Sequence, residues 1–150
     1  MEKLSEFQKS GDYLFHGSRN PDIELLEPRQ AMSFGKPDGL PAVFASDRIE
    51  PPIFMAVLGS RKLGGWGRKN LPGFGFYIAE PDLARAKDED WQGYVYVLAK
   101  DGFVKEGEGG WEWRSMESVC PVDVVKVGIK DLPSPIDTMT REEYLSITRG

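Results

Sequence analysis

His16 is the only histidine among 150 residues, and it closes the apolar run Tyr13-Leu14-Phe15-His16-Gly17-Ser18. A strand that ends in His-Gly-Ser offers a ring nitrogen, an approachable backbone and a hydroxyl at three consecutive positions. Glycine lets a ligand come close to the main chain, whose amide and carbonyl can grip a planar carboxamide through paired hydrogen bonds. The same three residues equally suit a buried histidine beside a turn glycine. Two carboxylates extend the set. Glu112 lies between Trp111 and Trp113 on an expected strand, so it faces away from both rings. Glu117 is expected on the turn before Val119. Spacing alone brings neither of them to His16.

Other chemistries find less support. One histidine and one cysteine cannot assemble a zinc site of the usual nitrogen and sulfur ligands. Cys120, placed before Pro121 among apolar residues, reads as a packed thiol rather than a nucleophile. A hydrolytic triad would need a nucleophile elbow of Gly-x-Ser-x-Gly type, which is absent from the sequence. The loop Arg61-Lys62-Leu63-Gly64-Gly65-Trp66-Gly67-Arg68-Lys69 could hold a phosphate or a nucleic-acid strand, or serve as a solvated connection. It lacks the Gly-Lys-Ser or Gly-Lys-Thr of a P-loop. A net charge of -5 opposes any binding driven mainly by phosphate neutralisation.

The elements that must position these residues are short. Leu4 and Phe7 suggest a helix over residues 3–9 that ends at Gly11. Strands are expected at 13–15, 42–46, 74–79, 94–98, 103–104, 111–115 and 122–129, the run Tyr94-Val95-Tyr96-Val97-Leu98 being the densest in β-branched and aromatic types. Pro51-Pro52 suits the first turn of a helix that continues to Leu58, with Ser46 and Asp47 supplying capping oxygens. A second helix is expected over 81–87, and Thr140-Arg141-Glu142-Glu143 has the form of a capping box before a last helix. Residues 19–41, rich in proline and glycine, read as a long functional loop. Connections this short cannot supply a regular series of helical crossovers. The expectation is therefore one α+β domain spanning 1–150, with mainly antiparallel split β-sheets and a few short helices.

With 40% hydrophobic and 29% charged residues the chain has globular composition. A single cysteine fits a reducing compartment, so a cytoplasmic protein is expected. No signal peptide and no membrane anchor are expected, since no apolar window comes near the roughly 18 residues of a membrane span.

Taken together, Leu14-Phe15-His16-Gly17-Ser18, Leu26-Glu27-Pro28-Arg29 and Val43-Phe44-Ala45-Ser46-Asp47 followed by a helix resemble the N-terminal half of the ADP-ribosyltransferase fold. The likeness is to its His-Tyr-Glu branch, which includes poly-ADP-ribose polymerases, diphtheria-type toxins and small rifamycin-modifying transferases. The resemblance implies a glycosyltransferase chemistry in which NAD is the substrate and ADP-ribose passes to a protein, a nucleic acid or a small molecule, without metal or membrane. It implies that His16 and Gly17 hold NAD, that Ser18 bonds a ribose, and that Ser46 and Tyr77 belong to the same nucleotide site. Glu112 is the best matched family carboxylate, with Glu117 as its alternative. Where the family places a stacking tyrosine on the second strand, this chain has Val43 and Phe44, so Phe44 is expected to supply the ring face. The same fold implies two other readings: a catalytically inactive nucleotide- or partner-binding module, and an RNA 2'-phosphotransferase using Arg19, Arg29 and Arg114.

Overall fold

The computed structural model describes residues 1–30, 32–33, 36–37, 39–58, 64–66, 76–105 and 111–149. In chain order these form α1 (Glu2–Ser10), β1 (Tyr13–Ser18), β2 (Met32–Ser33), β3 (Lys36–Pro37), β4 (Val43–Ser46), α2 (Glu50–Leu58) and β5 (Gly64–Trp66). There follow β6 (Phe76–Ala79), α3 (Glu80–Asp88), β7 (Gln92–Ala99), β8 (Val104–Lys105), β9 (Glu112–Ser115), β10 (Asp123–Gly128), a 3-10 turn (Ile129–Asp131), β11 (Ile136–Met139) and α4 (Arg141–Arg149). The fold class is α+β.

The larger sheet has six strands in the order β10-β7-β1-β4-β9-β8, every neighbour antiparallel. Side chains alternate between its two faces. Phe15, Val95, Val97 and Val127 face α2, while Leu14, Val43, Ala45, Tyr96 and Leu98 face the opposite side with Leu26 and Phe103. Both faces are therefore covered at the centre, which is why the β1 and β7 sequences read as continuous apolar runs.

Helix α2 is apolar on nearly every side, as a helix enclosed in a core must be. It lies between the six-stranded sheet and a three-stranded sheet ordered β11-β6-β5, from which Phe76 and Ile78 join the same cluster as Ile53, Phe54 and Val57. Burial of each such side chain contributes about 1.5–3 kcal/mol. Two glycines on neighbouring strands seat the helix. A Cβ on Gly17 would lie 2.9 Å from the Pro52 carbonyl carbon and 3.0 Å from the Ala56 amide nitrogen, and one on Gly93 would lie 2.9 Å from the Ala56 Cα. Only a residue without a side chain admits the helix backbone so closely.

Several expectations from sequence are revised. No bond from Ser46 or Asp47 to the first turn of α2 is found among the described residues; Gln8 of α1 instead anchors the residue just before the helix, its Oε1 accepting the Ile49 amide at 2.7 Å. Ser46 Oγ instead closes a local turn, accepting from the Arg48 amide and donating to the Arg48 carbonyl. Cys120 is exposed rather than packed, because it falls between the Leu26–Val119 bridge and β10, beside Val122 and Val124, which are exposed as well. Gly64–Trp66 is strand β5, paired with β6; the rest of the basic glycine loop lies outside the described residues, as do Phe74, Gly75 and the acidic turn at 106–110. Strand β11, which the residue pattern does not announce, pairs with β6 in parallel. The capping box before α4 forms as expected, Thr140 Oγ1 accepting the Glu143 amide at 3.1 Å and Glu143 Oε1 accepting the Thr140 amide at 3.2 Å.

Candidate functional site

The strand that ends at His-Gly-Ser sits at the centre of the large sheet, and its two sides behave differently. Toward β7 it is paired along its whole length, from Tyr13↔Ala99 to Ser18↔Tyr94. Toward β4 the ladder consists of Phe15↔Ser46 alone. Beyond that pair no further β1–β4 pair forms on the side that carries Ser18 on one strand and Val43 on the other, and this unpaired stretch is called the fork. His16 stands at the start of this fork. Its Nδ1 lies 2.7 Å from the carbonyl oxygen of Phe44, so the side chain replaces a missing ladder bond. A carbonyl can only accept, which places the proton on Nδ1 and leaves Nε2 with its lone pair while the ring is neutral.

A strap of chain crosses the open end on the face away from α2. It leaves β1 at Arg19, is gripped by the Tyr96 hydroxyl, which donates to the Asn20 carbonyl and accepts the Ile23 amide, and then pairs at Leu26↔Val119 and Arg29↔Ala42 with segments flanking β9 and β4. It thus links the two strand groups that the fork separates.

The carboxylates fall at different ends of the fork. Register places Glu112 opposite Ser46, at the closed end, and Ser115 opposite Val43, at the open end. Glu117 lies two residues past Ser115 and is held by a small turn in which Ser115 Oγ accepts the Glu117 amide at 3.2 Å. Phe44, Ser46, Glu112 and Arg114 share the α2-facing side by alternation, whereas His16 follows Leu14 and leans into the gap. Glu112 lies 3.4 Å from the Arg114 guanidinium, and that guanidinium stacks 4.7 Å over the Phe44 ring. Phe44 therefore presents one ring face to Arg114. Arg114 also lines an open cleft of about 730 Å³ with Gly39, Leu40, Gly102, Val104, Met116 and Glu117; His16, Gly17, Ser18 and Phe44 are not among its described lining residues.

Three positions named from sequence have structural contacts of their own. Gly17 carries α2 against its Cα. Ser46 is buried in its own turn, and Tyr77 is buried in the second sheet, its ring 6.0 Å from that of Tyr144. Ser18 Oγ accepts the Asn20 amide at 3.1 Å at the mouth of the fork. Arg19 and Arg114 do not converge. Arg19 stacks 4.4 Å over Trp91 and donates to the Val57 carbonyl at the end of α2, whereas Arg114 belongs to the Phe44 and Glu112 group. Sequence reasoning did not single out Leu40, Val104 or Met116 as cleft residues; their only signal was being apolar beside glycine or in a turn.

No family model matches the chain, and neither curated proteins nor solved structures provide a match. Among the described residues no group of three or more His, Cys, Asp or Glu is arranged to hold a metal ion, and no helix is long and apolar enough to cross a membrane. Fold and site together define an α+β protein whose central sheet forks beside an open cleft.

Proposed function

We propose that the chain is an ADP-ribosyltransferase-type enzyme that binds NAD at the β1–β4 fork and transfers ADP-ribose to an acceptor. The observation that carries this reading is the single β1–β4 pair, Phe15↔Ser46, followed on β1 by His16, whose side chain bonds the Phe44 carbonyl, and by Gly17 and Ser18. A fork in a sheet frees backbone amides and carbonyls that would otherwise pair, the kind of group that grips a carboxamide. Breaking the bond between nicotinamide and ribose leaves an oxocarbenium-like sugar, which a nearby carboxylate stabilises. The register favours Glu117 over Glu112 for that role, since Glu117 leaves the sheet at the open end of the fork.

Thermal unfolding with and without millimolar NAD tests the pocket. NAD should raise the melting temperature, and His16→Ala should lose that ligand-dependent rise whatever its own starting stability. No rise in the parent protein removes the assignment. With labelled NAD, Glu117→Gln should abolish nicotinamide release while NAD still binds; undiminished release in that variant together with loss in Glu112→Gln would return the role to Glu112. A second reading, a binding module without catalysis, is favoured by Val43 and Phe44 standing where the family has a tyrosine and by the Arg114 stack on Phe44. NAD binding without any nicotinamide release would select it.

A further inference from the structure

The first part of the strap, residues 19–25, is a flap that the core holds at one point. All of these residues except Ile23 are exposed. Among the described residues, the only hydrogen bonds tying their backbone to the body of the protein are the two made by the Tyr96 hydroxyl, which donates to the Asn20 carbonyl and accepts the Ile23 amide. Tyr96 itself is 1% exposed. A phenol buried so deeply needs partners for its proton and its lone pair, and the flap supplies both. Its root is braced from within, Ser18 Oγ accepting the Asn20 amide at 3.1 Å and Asn20 Oδ1 accepting the Asp22 amide at 3.0 Å. Beyond the flap, Leu26 is fixed to Val119 by two backbone bonds of 2.8 and 2.9 Å.

Strand register sets this flap over His16. Ser18, at its root, pairs with Tyr94, His16 pairs with Tyr96, and Leu14 pairs with Leu98. By alternation all six side chains share the sheet face away from α2. Chain leaving Ser18 meets the Tyr96 hydroxyl at Asn20 and Ile23, and Leu26 then packs with Leu14, Tyr96 and Leu98, so the flap doubles back over the row that holds His16. Directly opposed residues in such a pair have Cβ atoms about 4.5–5.5 Å apart, which makes the imidazole and the phenol neighbours. A segment with one half-buried side chain and one point of attachment is the kind that opens locally while the rest of the fold stays intact.

We infer that residues 19–25 are a gate over His16, with the Tyr96 hydroxyl as its latch. The gate governs access to the imidazole whatever ligand that ring meets. Because His16 is the only histidine, the ultraviolet band of the carbethoxyhistidine formed with diethyl pyrocarbonate reads this one side chain in the full-length protein. At about pH 8, where an ordinary imidazole is neutral, the parent protein should react more slowly than acetylhistidine. Tyr96→Phe removes both latch bonds and keeps the ring, so it should raise the rate about tenfold, toward that of acetylhistidine. Ile23→Ala loosens the flap from outside the core and should raise the rate by a smaller factor; it decides the matter if Tyr96→Phe does not fold. Leu25→Ala, at an exposed flap position, and Arg141→Ala, which weakens the second sheet, should leave the rate unchanged. A parent that reacts as fast as acetylhistidine would overturn the inference, as would no rise in Tyr96→Phe, or none in Ile23→Ala where the phenylalanine variant does not fold. An equal rise in Leu25→Ala or Arg141→Ala would overturn it too, since His16 would then be reached without release of the latch. NAD is absent throughout, so the result is independent of the reading of the fork, which keeps its own assay.

Discussion

Replacing Gly17 by alanine separates a ligand-contacting glycine from one that admits a helix. The added Cβ would stand 2.9 Å from the Pro52 carbonyl carbon and 3.0 Å from the Ala56 amide nitrogen, and closer still to the Pro52 oxygen. These are backbone atoms of α2, so no rotamer change relieves the clash. The helix must move off β1 as a body, loosening Ile53, Phe54 and Val57, which are almost completely buried. Overpacking a core typically costs 1–3 kcal/mol, and a clash with rigid backbone belongs at or above the top of that range. Gly17→Ala should therefore cost at least about 3 kcal/mol, or about 6–12 °C in Tm for a domain of this size. Gly128→Ala is the internal control. A Cβ there meets nothing nearer than 3.9 Å, so that change should be neutral or stabilising by up to about 1 kcal/mol. Urea unfolding of the three proteins measures both. If Gly17→Ala costs less than about 1 kcal/mol, α2 does not rest on β1 as described, and the glycine has to be explained by something other than the helix.

Two further outcomes concern the second sheet. Burial, with Tyr77 and Asp82 nearby, raises the Tyr144 hydroxyl to about 12, against an ordinary value of 10.0. The neutral phenol therefore favours the folded state: its contribution is complete below pH 10 and is lost as pH rises through 12, because the unfolded chain releases that proton first. Tyr144→Phe should flatten this alkaline limb in urea unfolding measured as a function of pH, and an unchanged limb would show that another group produces it. Arg141 Nη2 lies 2.6 Å from Asp82 Oδ1, and Asp82 is buried whereas Arg141 is largely exposed. Arg141→Ala should cost about 1–3 kcal/mol by stranding the carboxylate; Arg141→Ala combined with Asp82→Asn should recover part of the loss, and no recovery would refute the pairing.

Local signals carried far into this structure, and non-local ones did not. Apolar runs marked β1, β4 and β7, the double proline marked the start of α2, and Thr140 to Glu143 marked α4, because each of these depends on a few adjacent residues. Strand β11, Ile136-Asp137-Thr138-Met139, carries no comparable signal; it exists through its parallel pairing with β6. Gly64 and Gly65 form a strand for the same reason, borrowing order from β6 rather than supplying it. At the site, His16 and its strand end were legible, yet its partner was not. The Phe44 carbonyl lies 28 positions away, and a backbone group leaves no mark in a sequence. Glu112 and Glu117 were both visible as carboxylates, but only the strand register separates the closed end of the fork from the open one.

The single pair Phe15↔Ser46 gives the large sheet the construction of two leaves on one hinge. β10, β7 and β1 form one leaf and β4, β9 and β8 the other, with the strap from Arg19 to Arg29 acting as a tether between them. Each leaf is stiffened by its own ladder. The two are held together by the His16–Phe44 hydrogen bond, the tether, the floor provided by α2 and the shared core of Leu14, Tyr96 and Leu98 with Val43 and Ala45. His16 belongs to the first leaf, whereas Arg114 belongs to the second and Glu117 to the turn that follows it, so the candidate residues are divided between the two.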